Sequence, residues 1–131
     1  MEEDTEREPD KDAPDDLRRE IHELVVESHE LIMRNQSQSG GGRNRIIIKL
    51  RGKPGSPSGI LRAGKIYFRE REEGIEPPRF QPNAREPYGS MFLWSDHFPF
   101  VLEQLGKPDC RMVLTRSPDG DLRAELISRS G

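Results

Sequence analysis

The chain has 131 residues, 31% hydrophobic and 34% charged, with a formal net charge of −3. That length holds one modest domain, and the low apolar share excludes a compact core along the whole chain. No apolar run reaches the ~18 residues of a membrane-spanning helix, the acidic N-terminus has no apolar signal stretch, and the single cysteine, Cys110, excludes an internal disulfide, so the chain reads as intracellular.

Charge is segregated along the chain. Residues 1–16 hold nine acids and two bases, a balance of −7, whereas the remainder carries +4. With no apolar periodicity, 1–16 reads as a disordered acidic tail. Pro14, Asp15 and Asp16 then form a helix entrance, with acids at the positive end of the dipole. Leu17, Ile21, Leu24 and Leu31 recur at helical spacing, with Val25 and Ile32 beside them. The spacing predicts an amphipathic helix over 17–35, whose stripe Leu17, Ile21, Leu24, Val25, Leu31 and Ile32 serves homodimerisation or a partner groove. A polar, glycine-rich linker over 36–43 tethers it to a β-rich domain, 44–131.

In that domain RIIIKLR (45–51) and GKIYFRER (64–71) alternate with period 2 and predict two strands, with Gly64 marking a bulge or bend. Gly52 to Gly59, rich in Gly and Pro, predicts an irregular connection, and the proline-rich GIEPPRFQPNAREP an extended loop. YGSMFLWS predicts a third strand, with Phe92 and Trp94 as core residues against a short helix over 96–105 that Gly106 and Pro108 end. CRMVLTR and DLRAELISR form a final hairpin through SPDG, a type I turn followed by a glycine bulge. The expected fold is α+β: a mainly antiparallel sheet of about five strands with one short helix, preceded by the acidic tail and the tethered helix.

Chemistry-bearing motifs fall short. Gly59–Ile66, GILRAGKI, matches a phosphate-binding loop except at its last position, where Ile66 replaces the hydroxyl, and a strand follows in place of a helix. GKPG (52–55) has the G-x-x-G form of the KH backbone clamp but sits between strands. His22 and His29 are seven apart, Ser95, Asp96 and His97 are adjacent and diverge, and Glu70, Glu72, Glu73 and Glu76 read as a charged strand end. The expectation is no enzyme, no metal and no cofactor.

The remaining signal is basic. From Arg43 to Arg69 there are eight cations and no acid. If the two early strands lie side by side, Arg43, Arg45, Lys49, Arg51, Lys53, Arg62, Lys65, Arg69 and Arg71 offer a cationic face on which Tyr67 stacks. That predicts a nucleic-acid-binding protein, with RNA or single strands favoured over duplex DNA. The alternative is an adaptor, or an accessory protein of a virus or mobile element, that blocks a host factor through the 17–34 helix. The layout of EIHELVVESHELI before a basic body is similar in arrangement, though in no motif, to some small plant-virus movement proteins.

Overall fold

The computed structural model describes residues 19–34 and 46–129. The expected acidic tail, the linker, Leu17, Arg43 and Arg45 lie outside the described residues. The elements are β1 (Glu20–Met33), β2 (Ile46–Pro54), β3 (Ala63–Arg69), β4 (Arg79–Gln81), β5 (Tyr88–Trp94), α1 (Phe98–Leu105), β6 (Asp109–Arg116) and β7 (Leu122–Arg129). The seven strands form one sheet in the order β4-β5-β3-β2-β1-β6-β7. Every pairing is antiparallel except β3 with β5. The architecture is mostly sheet with one short helix, but with seven strands where about five were expected. Two strands account for the difference, β1 and the three-residue β4.

β1 corrects the expected helix. Its apolar residues mimic a helical stripe because a bulge interrupts the alternation: Val26 pairs with Gly52 and Ser28 with Arg51, leaving Glu27 as the extra residue. Before the bulge, Leu24 and Val26 face the interior with Met112 and Gly52 beside them; after it, Leu31 and Met33 lie opposite Ile48 and Ile46. The added residue turns a period of 2 into a spacing of seven between Leu24 and Leu31, which reads as a heptad. Gly52 is required there, since a Cβ at this position would collide with the Val25 carbonyl. β2 accordingly continues through Gly52 to Pro54 instead of ending at Arg51.

The sheet coils until its ends nearly meet, and two glycines show how far. Gly64 and Gly89 are direct neighbours across β3 and β5, both facing inward. A Cβ on Gly64 would lie 2.8 Å from the Met112 sulfur, and one on Gly89 would strike the Leu114 side chain. Side chains of β6 thus cross the interior and seat on a glycine floor on the opposite wall, so Gly64 is a regular strand residue, not a bend. Phe80 of β4 similarly meets the His22 ring of β1, at 4.4 Å between centroids. Leu24, Ile48, Leu50, Leu61, Ile66, Met112 and Leu114 are each under 2% exposed, and such burial contributes about 1.5–3 kcal/mol per side chain.

The seam between β5 and β7 is incomplete. A cavity of about 320 Å³ opens there, lined by Met91 and Leu93 on one side and Leu122 and Ala124 on the other. α1 covers one end of the interior, with Val101 and Leu105 buried and Phe98 edge-on to Phe68. The Ser128 hydroxyl donates to the Gln104 amide oxygen and ties α1 to β7. Met91 and Leu93, not Phe92 and Trp94, face this core, which corrects the expected packing of β5. The β6–β7 hairpin is as expected: the Gly120 N–H donates to the Ser117 carbonyl, the Ser117 N–H to the Asp121 carbonyl, and Gly120 has φ 94°. At its tip Asp119 accepts from the Ser117 hydroxyl and the Asp121 N–H, which holds its carboxyl below the ordinary range.

The glycine floor makes a coupled prediction. Gly89→Ala overpacks the interior and lowers stability by about 1–3 kcal/mol. In urea denaturation, adding Leu114→Ala costs less in the Gly89→Ala background than in the parent, because the two changes relieve one another. Strictly additive costs would contradict the cross-interior contact.

Candidate functional site

The β2–β3 register pairs Ile48 with Ile66 and Leu50 with Gly64 inside the sheet, so the intervening residues, Ile47 with Tyr67, Lys49 with Lys65 and Arg51 with Ala63, share the outer face. The parallel register to β5 continues these rows: Tyr67 beside Phe92, Lys65 beside Ser90, Ala63 beside Tyr88. Two rows matter. One is apolar and aromatic, running Ile32, Ile47, Tyr67, Phe92; the other is polar, running Glu30, Lys49, Lys65, Ser90, Arg79.

The aromatic row is partly closed. Tyr67 stacks on Phe92, with centroids 5.0 Å apart and planes 17° from parallel. Phe92 is only 8% exposed although it faces outward, because the Arg69 and Arg79 guanidinium groups lie over its ring. Both donate to Glu76, from Arg69 at 2.7 Å and from Arg79 at 2.5 Å. Arg69 is itself 4% exposed. A buried guanidinium is tolerable only with a carboxylate partner, so Arg69 belongs to the framework that fastens residues 70–78 over β5. Arg71 donates to Asp96 and lies over Trp94 at 4.8 Å.

The lysines differ. Lys49 and Lys65 are directly opposite one another, and neither has a carboxylate within ion-pair distance among the described residues. Like charges directly across a strand pair repel, so this pair costs stability. Lys65 places its ammonium 5.1 Å from the Tyr88 ring centroid. Next along β2, Arg51 donates to Glu86 at 2.6 Å, and that bond pushes its already high pKa further up. Lys53 is exposed, beside Val25 on the same face. Arg62 is exposed just before β3, where its N–H donates to Pro87 and its carbonyl accepts from Gly52. By contrast, the outer face over β1 and β6 is neutralised: Arg111 donates to Glu23 at 2.8 Å and Asp109 at 3.1 Å, and these bonds raise its pKa.

Of the cations singled out in the sequence, Lys49, Arg51, Lys53 and Lys65 gather on one outward surface, whereas Arg69 and Arg71 are occupied by carboxylates at the far edge. Tyr88, which sequence reasoning passed over, lines the same surface; its signal is its alternation with Gly89 next to the third strand's aromatics. The expected helical stripe is dispersed over β1: Leu24 is buried, Val25 and Ile32 are half-buried, and Ile21 and Leu31 are exposed. With EIHELVVESHELI a strand, the arrangement shared with the movement proteins is also lost. Cys110 is buried, which pushes its thiol pKa up, with Asp109 adding to the shift. Among the described residues no group of three His, Cys, Asp or Glu converges to hold a metal ion, and no helix is long and apolar enough to cross a membrane.

No family model, curated protein or solved structure matches the chain.

Proposed function

We propose that the protein binds single-stranded nucleic acid, RNA in preference to duplex DNA, on the outward face of β2 and β3, and that it does so without catalysis. The observation that carries this reading is the Lys49–Lys65 pair, two cations set side by side that have no carboxylate within ion-pair distance among the described residues, although Glu30 stands opposite Lys49 on β1. An anionic ligand offsets the repulsion that the fold leaves standing there. Lys53 and Arg51 extend the cationic strip along β2, and Tyr67 and Tyr88 border it with rings suited to unstacked bases. α1, FPFVLEQL, has no Lys or Arg, which argues against a helix reading the major groove of a duplex.

With about three phosphates contacted, affinity for a short RNA falls about twentyfold between 50 and 200 mM salt. Fluorescence anisotropy is expected to show that slope, and to show binding lost when Lys49, Lys53 and Lys65 are replaced together by Ser, with thermal stability kept. Arg69→Ser, which removes one of the two guanidinium groups that hold Glu76 and uncovers the Phe92 ring, instead lowers stability. Undiminished binding by the triple variant would overturn the reading.

A second reading rests on the edge of β1. Among the described residues, Ser28 to Met33 of this strand pair with β2 and not with β6, which pairs with Glu20–Val25. Leu31 is 41% and Met33 65% exposed along that stretch. Antiparallel pairing with a second copy about Leu31 sets the two Leu31 side chains together and places each Glu30 diagonal to the other copy's Arg34. Sedimentation velocity over a dilution series should then show a dimer that Leu31→Asp abolishes. A monomer throughout would exclude it.

A further inference from the structure

The outer face of β2 and β3 carries a concavity of about 200 Å³ whose walls include Lys49, Arg51, Ala63, Lys65, Glu86 and Tyr88. Its parts differ in chemistry. Lys49 and Lys65 supply two ammonium groups from directly opposed positions. Tyr88, half-buried, supplies an aromatic ring with the Lys65 ammonium 5.1 Å from its centroid. Glu86 supplies a carboxylate that uses one oxygen, Oε2, to hold Arg51, while no partner among the described residues takes Oε1. A carboxylate in a site for a polyanion is unfavourable unless the ligand also brings a hydroxyl or amino donor.

We propose that this cleft seats one ribonucleotide of the bound strand. Its phosphate lies between Lys49 and Lys65, its base displaces the Lys65 ammonium from the Tyr88 face, and its ribose 2′-hydroxyl donates to Glu86 Oε1. The proposal rests on the nucleic-acid reading and deepens it, because it assigns the choice between RNA and DNA to Glu86. That hydroxyl is the group by which a site tells the two apart. The Arg51 ion pair holds the acceptor in place, so selectivity is built in before the ligand arrives.

The test compares an RNA and a DNA of the same sequence on the full chain, by anisotropy at fixed salt. The parent is expected to prefer RNA by about fivefold, the effect of one hydroxyl hydrogen bond. Glu86→Ala is expected to bring the ratio to unity, and Glu86→Gln to lower it, because Arg51 takes the single amide oxygen and an NH2 group stands where Oε1 accepted the hydroxyl. If Glu86 acted only by restraining Arg51, Glu86→Ala would strengthen RNA and DNA alike and leave the ratio unchanged, which overturns the proposal while the nucleic-acid reading stands. A parent that binds both strands equally overturns it in the same way. If neither strand binds, that reading fails, and adenosine monophosphate and its 2′-deoxy form are titrated by NMR. Shifts at Lys49, Lys65 and Tyr88 that are larger for the ribose form uphold the cleft; their absence removes it too.

Discussion

The register of β2 against β3 is the constraint on which the rest depends. Because side chains alternate strictly, one alignment decides both faces together. With Leu50 opposite Gly64, the interior gains the space that Met112 enters from the other wall. With Lys49 opposite Lys65, the exterior gains a concentrated positive charge. A slip of one residue would send the lysines into the core and the isoleucines to water, so the apolar interior enforces a pairing that the surface alone would reject. The electrostatic cost outside is borne by burial inside, where Ile48, Leu50 and Ile66 are almost wholly removed from solvent.

The division of labour between arginine and lysine follows from this geometry. Arginines at the rim are engaged by carboxylates that loops bring in from elsewhere: Glu86 to Arg51, Glu76 to Arg69 and Arg79, Asp96 to Arg71. The planar fork suits such fixed pairs and packs on Phe92 and Trp94. Lysines at the centre of the surface keep compact, movable charges. The surface is therefore narrower than the run of cations from Arg43 to Arg69 implies, and a carboxylate, Glu86, stands at its border.

Much of the sheet was legible because alternation survives wherever a strand is regular. RIIIKLR and GKIYFRER show it plainly, and the SPDG turn between two alternating runs fixes the last hairpin. β1 was not legible because the bulge at Glu27 changes the parity halfway, and the resulting spacing imitates two heptads. β4 was hidden by its length of three residues among prolines. For the site, outward lysines could be read from period 2 alone. Their availability could not, because Arg51 and Glu86 are 35 positions apart and meet only once the proline-rich loop has folded back. The burial of Phe92 on the outer face has the same origin in Glu76 and the residues around it.

The most direct measurement is a nuclear Overhauser spectrum of isotopically labelled protein, read across β2 and β3. The account predicts cross-strand backbone contacts linking Lys49 with Lys65, flanked by Ile48 with Ile66 and Leu50 with Gly64. Contacts displaced by one residue, such as Lys49 with Ile66, would place the lysines on opposite faces and contradict it.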